Sequence, residues 1–192
     1  PMLGVYRNLA DKQAWVFDAA LPGRVSRMLE DDRWRGIGEL HLFAAQRRSP
    51  VFHALVRIAA ERGLPLLMHC DPSVIDTLFE IEPDVTVIWA HAGAYPYPPL
   101  LRDYLERHPT LHLDLSVRDA RVAPGGELDP AWENLLLEFP GRILVGVDTY
   151  WTGRWFEAEA VTREMRAWLA QLPDEVARAI AWDNAARLFP SP

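Results

Sequence analysis

The chain has 192 residues, of which 49% are hydrophobic and 24% charged, with a formal net charge of -7 and a pI near 5.3. That size suits one sizeable core, and the acidic balance offers no basic face for nucleic acid. No run is long and apolar enough to span a membrane and no basic-then-apolar signal segment opens the chain; a single cysteine, Cys70, excludes an internal disulfide framework, so a cytoplasmic protein is expected.

The first apolar run, "MLGVYR" (2 to 7), predicts a strand, and "GIGELHLF" (36 to 43) a second. Both are short, nearly continuous and rich in aliphatic residues, as strands of a parallel sheet buried on two faces are. "SPVFHALVRIAAERG" follows as a helix, with Ser49 as N-cap, Pro50 at the first helical position, Gly63 at the C-terminal end and Phe52, Leu55, Val56 and Ala59 on one face. "LPLLMHC" (64 to 70) is the next strand, after which Asp71-Pro72 repeats the cap and opens the helix "SVIDTLFEI".

"VTVIWAHAG" (85 to 93) and "LHLDLSV" (111 to 117) are strands on either side of the helix "PPLLRDYLERH" (98 to 108). Asp129-Pro130 caps "AWENLLLEF", "RILVGVDT" (142 to 149) is the last strand, and the helices "WFEAEAVTREMRAWLAQL" and "DEVARAIAWDNAARLF" close the chain. Strand and helix alternate throughout, so the fold class is α/β, with parallel strands joined by right-handed crossovers.

Parallel α/β sheets build their sites at the carboxyl ends of the strands. Those ends carry Glu39 and His41, then His69, His91, His112 with Asp114, and Asp148. Period-two alternation puts Glu39 and His41 on one face of their strand, and likewise His112, Asp114 and Ser116 on one face of theirs, so that both sets can point into one mouth. Each residue alone has an ordinary structural explanation: Glu39 could pair with Arg35, and Asp148 with Thr149 could cap a helix. Recurrence at strand after strand is what points to a shared site. Imidazole nitrogens and carboxylate oxygens suit a divalent ion, zinc in first place, which acidifies water while a neighbouring carboxylate takes the proton.

The strand ends "GIGELH", "LPLLMHC", "VIWAHAG", "LHLDLS" and "RILVGVDTYW", with the closing "AIAWDNAARLF", resemble the amidohydrolase superfamily, in particular its amidohydrolase-2 branch of metal-dependent hydrolases and decarboxylases. The resemblance covers nearly the whole chain. It implies a (β/α)8 barrel of TIM type, with residues 1–192 forming a single domain. His69 is then a metal ligand, and His91 a second ligand or the group that orients substrate and water. Asp148 binds metal and acts as general base. Glu39 stands where some relatives keep a carboxylated lysine, which is absent here because Lys12 is the only lysine. His41, Asp114 and Trp151 are assigned to the substrate. The family's opening His-x-His does not occur, and aligning strand ends makes "MLGVYR" strand three, so the barrel is expected to be incomplete and the sequence a fragment of a longer enzyme.

The expected activity is cleavage of a C-N, C-O or C-C bond of a small molecule. The rival expectation is a non-catalytic barrel remnant that is structural or self-associates into a homo-oligomer through an exposed strand edge. Trp89, Trp151, Trp155, Tyr95, Tyr97 and Tyr150 are candidates to line an apolar pocket, and Arg118 and Arg121 to hold a substrate carboxylate. "VAPGGELDP" (122 to 130) reads as a loop, and Cys70, next to a candidate ligand, should face the packed interior.

Overall fold

The computed structural model describes residues 1–8 and 10–190. The chain divides into two compact units, residues 1–94 with 108–111 and residues 95–107 with 112–192. Its strands pair in parallel and alternate with helices, giving the expected α/β class.

In the first unit three strands, β1 (Ile37–Leu42), β2 (Leu66–Cys70) and β3 (Val87–Trp89), pair in sequence order, β1 with β2 and β2 with β3. "MLGVYR" is not a full strand: Leu3 makes one parallel bridge to Ile37, and Leu3 and Val5 are buried while Tyr6 turns to another task. Helices α1 (Asp11–Ala14) and α2 (Leu21–Met28) lie before β1, and neither has a side-chain hydrogen bond at its N-cap. Helix α3 (Pro50–Glu61) follows the predicted segment closely. Ser49 Oγ accepts from the Val51 and Phe52 N–H groups, and Phe52, Leu55, Val56 and Ala59 form its buried face. Helix α4 (Pro72–Ile81) begins after Asp71 as expected, but Asp71 does not cap it. Its carboxylate instead accepts the Ala44 N–H at 2.8 Å, tying the chain after β1 to the chain after β2.

Alternation explains which side chains line the site. Leu66, Met68 and Cys70 of β2 are buried, whereas Leu67 and His69 point the other way. In β1 the register shifts between Ile37 and Leu40, so that Ile37, Leu40 and Leu42 all reach the core while Glu39 and His41 share the opposite face. The extra residue is accommodated at Gly38, whose φ of 145° and close approach to Leu67, where a Cβ would stand 2.6 Å from the carbonyl oxygen, exclude any other residue. Each fully buried aliphatic or aromatic side chain in this layer contributes about 1.5–3 kcal/mol of apolar burial.

In the second unit β4 (Leu111–Asp114) pairs in parallel with β5 (Ile143–Leu144), which is shorter than the predicted "RILVGVDT". Helices α5 (Pro98–Arg107), α6 (Asp119–Val122), α7 (Pro130–Glu138), α8 (Thr152–Leu169), α9 (Asp174–Arg178) and α10 (Asn184–Leu188) complete it, with a π-helical turn at Ala179–Asp183 between the last two. Asp129 caps α7 through the Ala131 and Trp132 N–H groups. The predicted loop 122 to 130 is fastened: the Leu128 N–H donates to Gln171 Oε1, and Gln171 Nε2 donates to the Gly126 carbonyl. Asn184, fully buried, donates from Nδ2 to the carbonyls of Pro140 and Ile143, both at 2.7 Å, and so anchors β5 to the final helix. Among the described residues no helix is long and apolar enough to cross a membrane.

Candidate metal centre

Parallel pairing puts His41 opposite His69, and their rings stack at 4.3 Å between centroids with planes 22° apart. His91 follows β3 in a tight turn where His91 and Ala92 have φ of 58° and 53° and Gly93 of 78°. This left-handed run, uncommon for residues with a Cβ, swings the buried His91 ring against His69, 5.2 Å between centroids and edge to face. Glycine is required at 93, since a Cβ there would come within 2.7 Å of the Trp89 ring.

Glu39 is the common partner of the three imidazoles. Its Oε1 lies 3.2 Å from His69 Nδ1 and 3.4 Å from His91 Nε2, and its Oε2 lies 3.7 Å from His41 Nε2. Burial pushes the Glu39 carboxyl up, but hydrogen bonds from His69 and His91 and the charge of nearby imidazoles outweigh it and hold the carboxyl well below the usual range. Burial also pulls the His41 imidazole down, to about 4, against the opposing pull of Glu39. An ionised carboxylate beside a neutral imidazole is the protonation state in which both groups can bind a cation. Glu39 does not pair with Arg35, whose guanidinium donates to the Asp32 carbonyl.

The ligand atoms of Glu39, His41 and His69 all lie within 4.8 Å of one another, a spacing that admits one ion among them. Two imidazole nitrogens and a carboxylate oxygen are a donor set that zinc and similar divalent ions accept while leaving a position open. The residues therefore fit such an ion, with His91 Nε2 beside the same carboxylate oxygen that His69 meets.

The remaining predicted residues belong to the second unit. Asp114 ends β4, where its carboxylate accepts from the Ser116 hydroxyl and backbone N–H, and the half-exposed Trp151 packs edge to face on Tyr150 at 4.4 Å. Asp148 lies four residues past β5 with φ of 52°, and Arg154 Nε donates to the carbonyls of Val147 and Asp148 at 2.9 and 3.1 Å. Asp148 is thus not the helix cap it could have been; Trp151 occupies the N-cap position of α8. Trp89 is core, its Nε1 donating to the Cys70 carbonyl, while Tyr95, Tyr97, Tyr150 and Trp155 are exposed.

The sequence reading missed Tyr6 and Trp15, which both reach His41. The Tyr6 hydroxyl accepts the His41 backbone N–H at 2.6 Å and lies 3.2 Å from Nδ1, while Trp15 Nε1 donates to the His41 carbonyl at 2.9 Å. The available signal was a tyrosine in an apolar run bridged to the strand that bears His41.

A family model described as Amidohydrolase matches residues 17–191. The chain belongs to this amidohydrolase-2 family. A crystal structure of an amidohydrolase from Burkholderia multivorans with bound HEPES is similar in fold, with a TM-score of 0.59 at 18% sequence identity over 92% of this chain and 71% of that one. No curated protein matches the chain in sequence.

Proposed function

We propose that the protein is a divalent-metal-dependent hydrolase, or a related decarboxylase, that cleaves a C-N, C-O or C-C bond of a small molecule in the cytoplasm, with zinc as the first candidate ion. The observation that carries the proposal is the placement of Glu39, His41 and His69 with all ligand atoms within 4.8 Å of one another, in a chain of the amidohydrolase family.

Glu39 would hold the ion through a carboxylate oxygen, and His41 and His69 through imidazole nitrogens. In this reading His41 serves as a ligand rather than as a contact to substrate. His91, whose Nε2 is 3.4 Å from Glu39 Oε1, is a further ligand or orients the attacking water. A bound divalent ion supplies Lewis acidity, which lowers the pKa of water towards neutrality and polarises a scissile carbonyl. Asp148 is assigned as the general base that would take a proton from the attacking water, a role that rests on its match to the family's strand-eight aspartate. The left-handed backbone at Asp148, fastened by Arg154, supports it, since sparsely populated conformations concentrate at functional positions. Asp114 and Trp151 are assigned to substrate binding.

The test is a panel of lactones, amides and carboxylic acids assayed with metal-stripped and zinc-reconstituted protein. Turnover that appears only after reconstitution, and that Asp148→Asn abolishes with the protein still folded, is the expected result. Equal turnover by stripped protein would remove the metal from the mechanism, and an unchanged rate in Asp148→Asn would remove the assigned base.

A further inference from the structure

His41 is held at three of its atoms: backbone nitrogen and ring Nδ1 by the Tyr6 hydroxyl, and carbonyl oxygen by Trp15. The atom left over is Nε2, which faces Glu39 Oε2 at 3.7 Å. A phenol has one proton to donate and two lone pairs to accept with. One lone pair is taken by the His41 backbone N–H. Two arrangements of the contact to Nδ1 then remain. Either the hydroxyl donates to Nδ1 and Nε2 carries the imidazole proton towards Glu39, or the hydroxyl accepts from a protonated Nδ1 and Nε2 presents a bare lone pair.

Those arrangements differ in whether Nε2 can bind a cation. A ligating histidine uses the unprotonated nitrogen and donates through the other, and the group that receives that donation fixes ring orientation and basicity. Among the described residues, the hydrogen bonds of the Tyr6 hydroxyl run to His41 alone.

We propose that Tyr6 is a positioning residue for the metal centre: its hydroxyl clamps the His41 backbone and sets whether His41 Nε2 presents a proton or a lone pair to Glu39. In metal-free protein the hydroxyl donates to Nδ1 and shields the neutral ring. For Nε2 to hold a cation, its proton would pass to solvent and Nδ1 would take one up, with the hydroxyl turning to accept from Nδ1–H while the ring keeps its place. The second half of this proposal rests on the reading of Glu39, His41 and His69 as metal ligands; the first half does not.

The experiment uses Tyr6→Phe, which removes the hydroxyl and keeps the ring. Long-range 15N–1H correlation spectra of metal-free protein should show His41 as the Nε2–H tautomer in the wild type and as a mixture in Tyr6→Phe. Zinc affinity, measured by competition with a chromophoric chelator, should fall by about tenfold or more, as loss of the outer partner of a ligating histidine typically does. In a His41→Asn background the same substitution should change zinc affinity no further, because its route of action has been removed. An unchanged tautomer in Tyr6→Phe overturns the proposal, as does an equal loss of affinity in both backgrounds, which would mark Tyr6 as a mere packing residue. Should the wild type fail to bind zinc, the reading of the metal centre fails, while the tautomer measurement still decides the role of Tyr6.

Discussion

Glu39 Oε1 stands 3.2 Å from His69 Nδ1, and this contact links neighbouring parallel strands through their functional side chains. The carboxylate is where the charge of the centre resides. Glu39→Gln keeps the shape and removes the charge. It should lower zinc affinity by at least about tenfold, since a neutral amide is a poorer partner for a divalent ion than a carboxylate. Equilibrium dialysis of the two proteins against buffered zinc checks this, and equal retention would take Glu39 out of the ligand set.

His41 and His53 differ in surroundings, which makes them a matched pair for mutation. His53 Nε2 meets the Arg47 carbonyl at 3.1 Å, whereas His41 faces Glu39. His41→Asn should reduce zinc affinity, and His53→Asn should leave it unchanged. If His41→Asn instead raised only the KM of a substrate and kept the full metal content, His41 would be a substrate contact.

Cys70 is the sole cysteine and is buried on the core face of β2, with burial pushing its thiol well above the ordinary value. A thiol-specific chromogenic reagent should therefore react slowly with native protein and rapidly, to one thiol per chain, after denaturation. Rapid reaction under native conditions would mean that β2 faces solvent where it is placed in the core.

Asn184 sits in the closing "DNAARLF" segment and satisfies two carbonyls from one amide nitrogen. Asn184→Leu strips both hydrogen bonds and leaves buried acceptors, at a cost of about 1–3 kcal/mol for each unsatisfied group. Chemical denaturation should report a loss of that order. A change below about 0.5 kcal/mol, the size of an ordinary surface substitution, would show that the carbonyls find other partners.

Much of this architecture is legible in the sequence because its signals are local. Ser49-Pro50 and Asp129-Pro130 announce helices that begin where expected, and the apolar face of α3 follows from period 3.6. Alternation in β2 correctly separates Cys70, in the core, from His69. What misled or escaped the reading depends on tertiary context. Asp71 has the same local sequence as Asp129, yet its carboxylate turns to the Ala44 N–H, a partner 27 positions away along the chain. "MLGVYR" has the composition of a strand but makes one bridge, at Leu3. The gathering of Glu39, His41, His69 and His91 was inferred from their places at strand ends, but the left-handed turn that swings His91 onto Glu39 has no sequence signature beyond Gly93. Tyr6 escaped because a hydroxyl contact across 35 positions leaves no trace in periodicity.

The most direct test of the account is the metal content of purified wild-type protein and of His69→Asn, measured by inductively coupled plasma mass spectrometry after removal of loosely bound ions. The account predicts a stoichiometric divalent ion in the wild type and its loss in His69→Asn, with both proteins folded by circular dichroism. A wild type without metal after incubation with zinc, or a His69→Asn variant that retains the full complement, would contradict it.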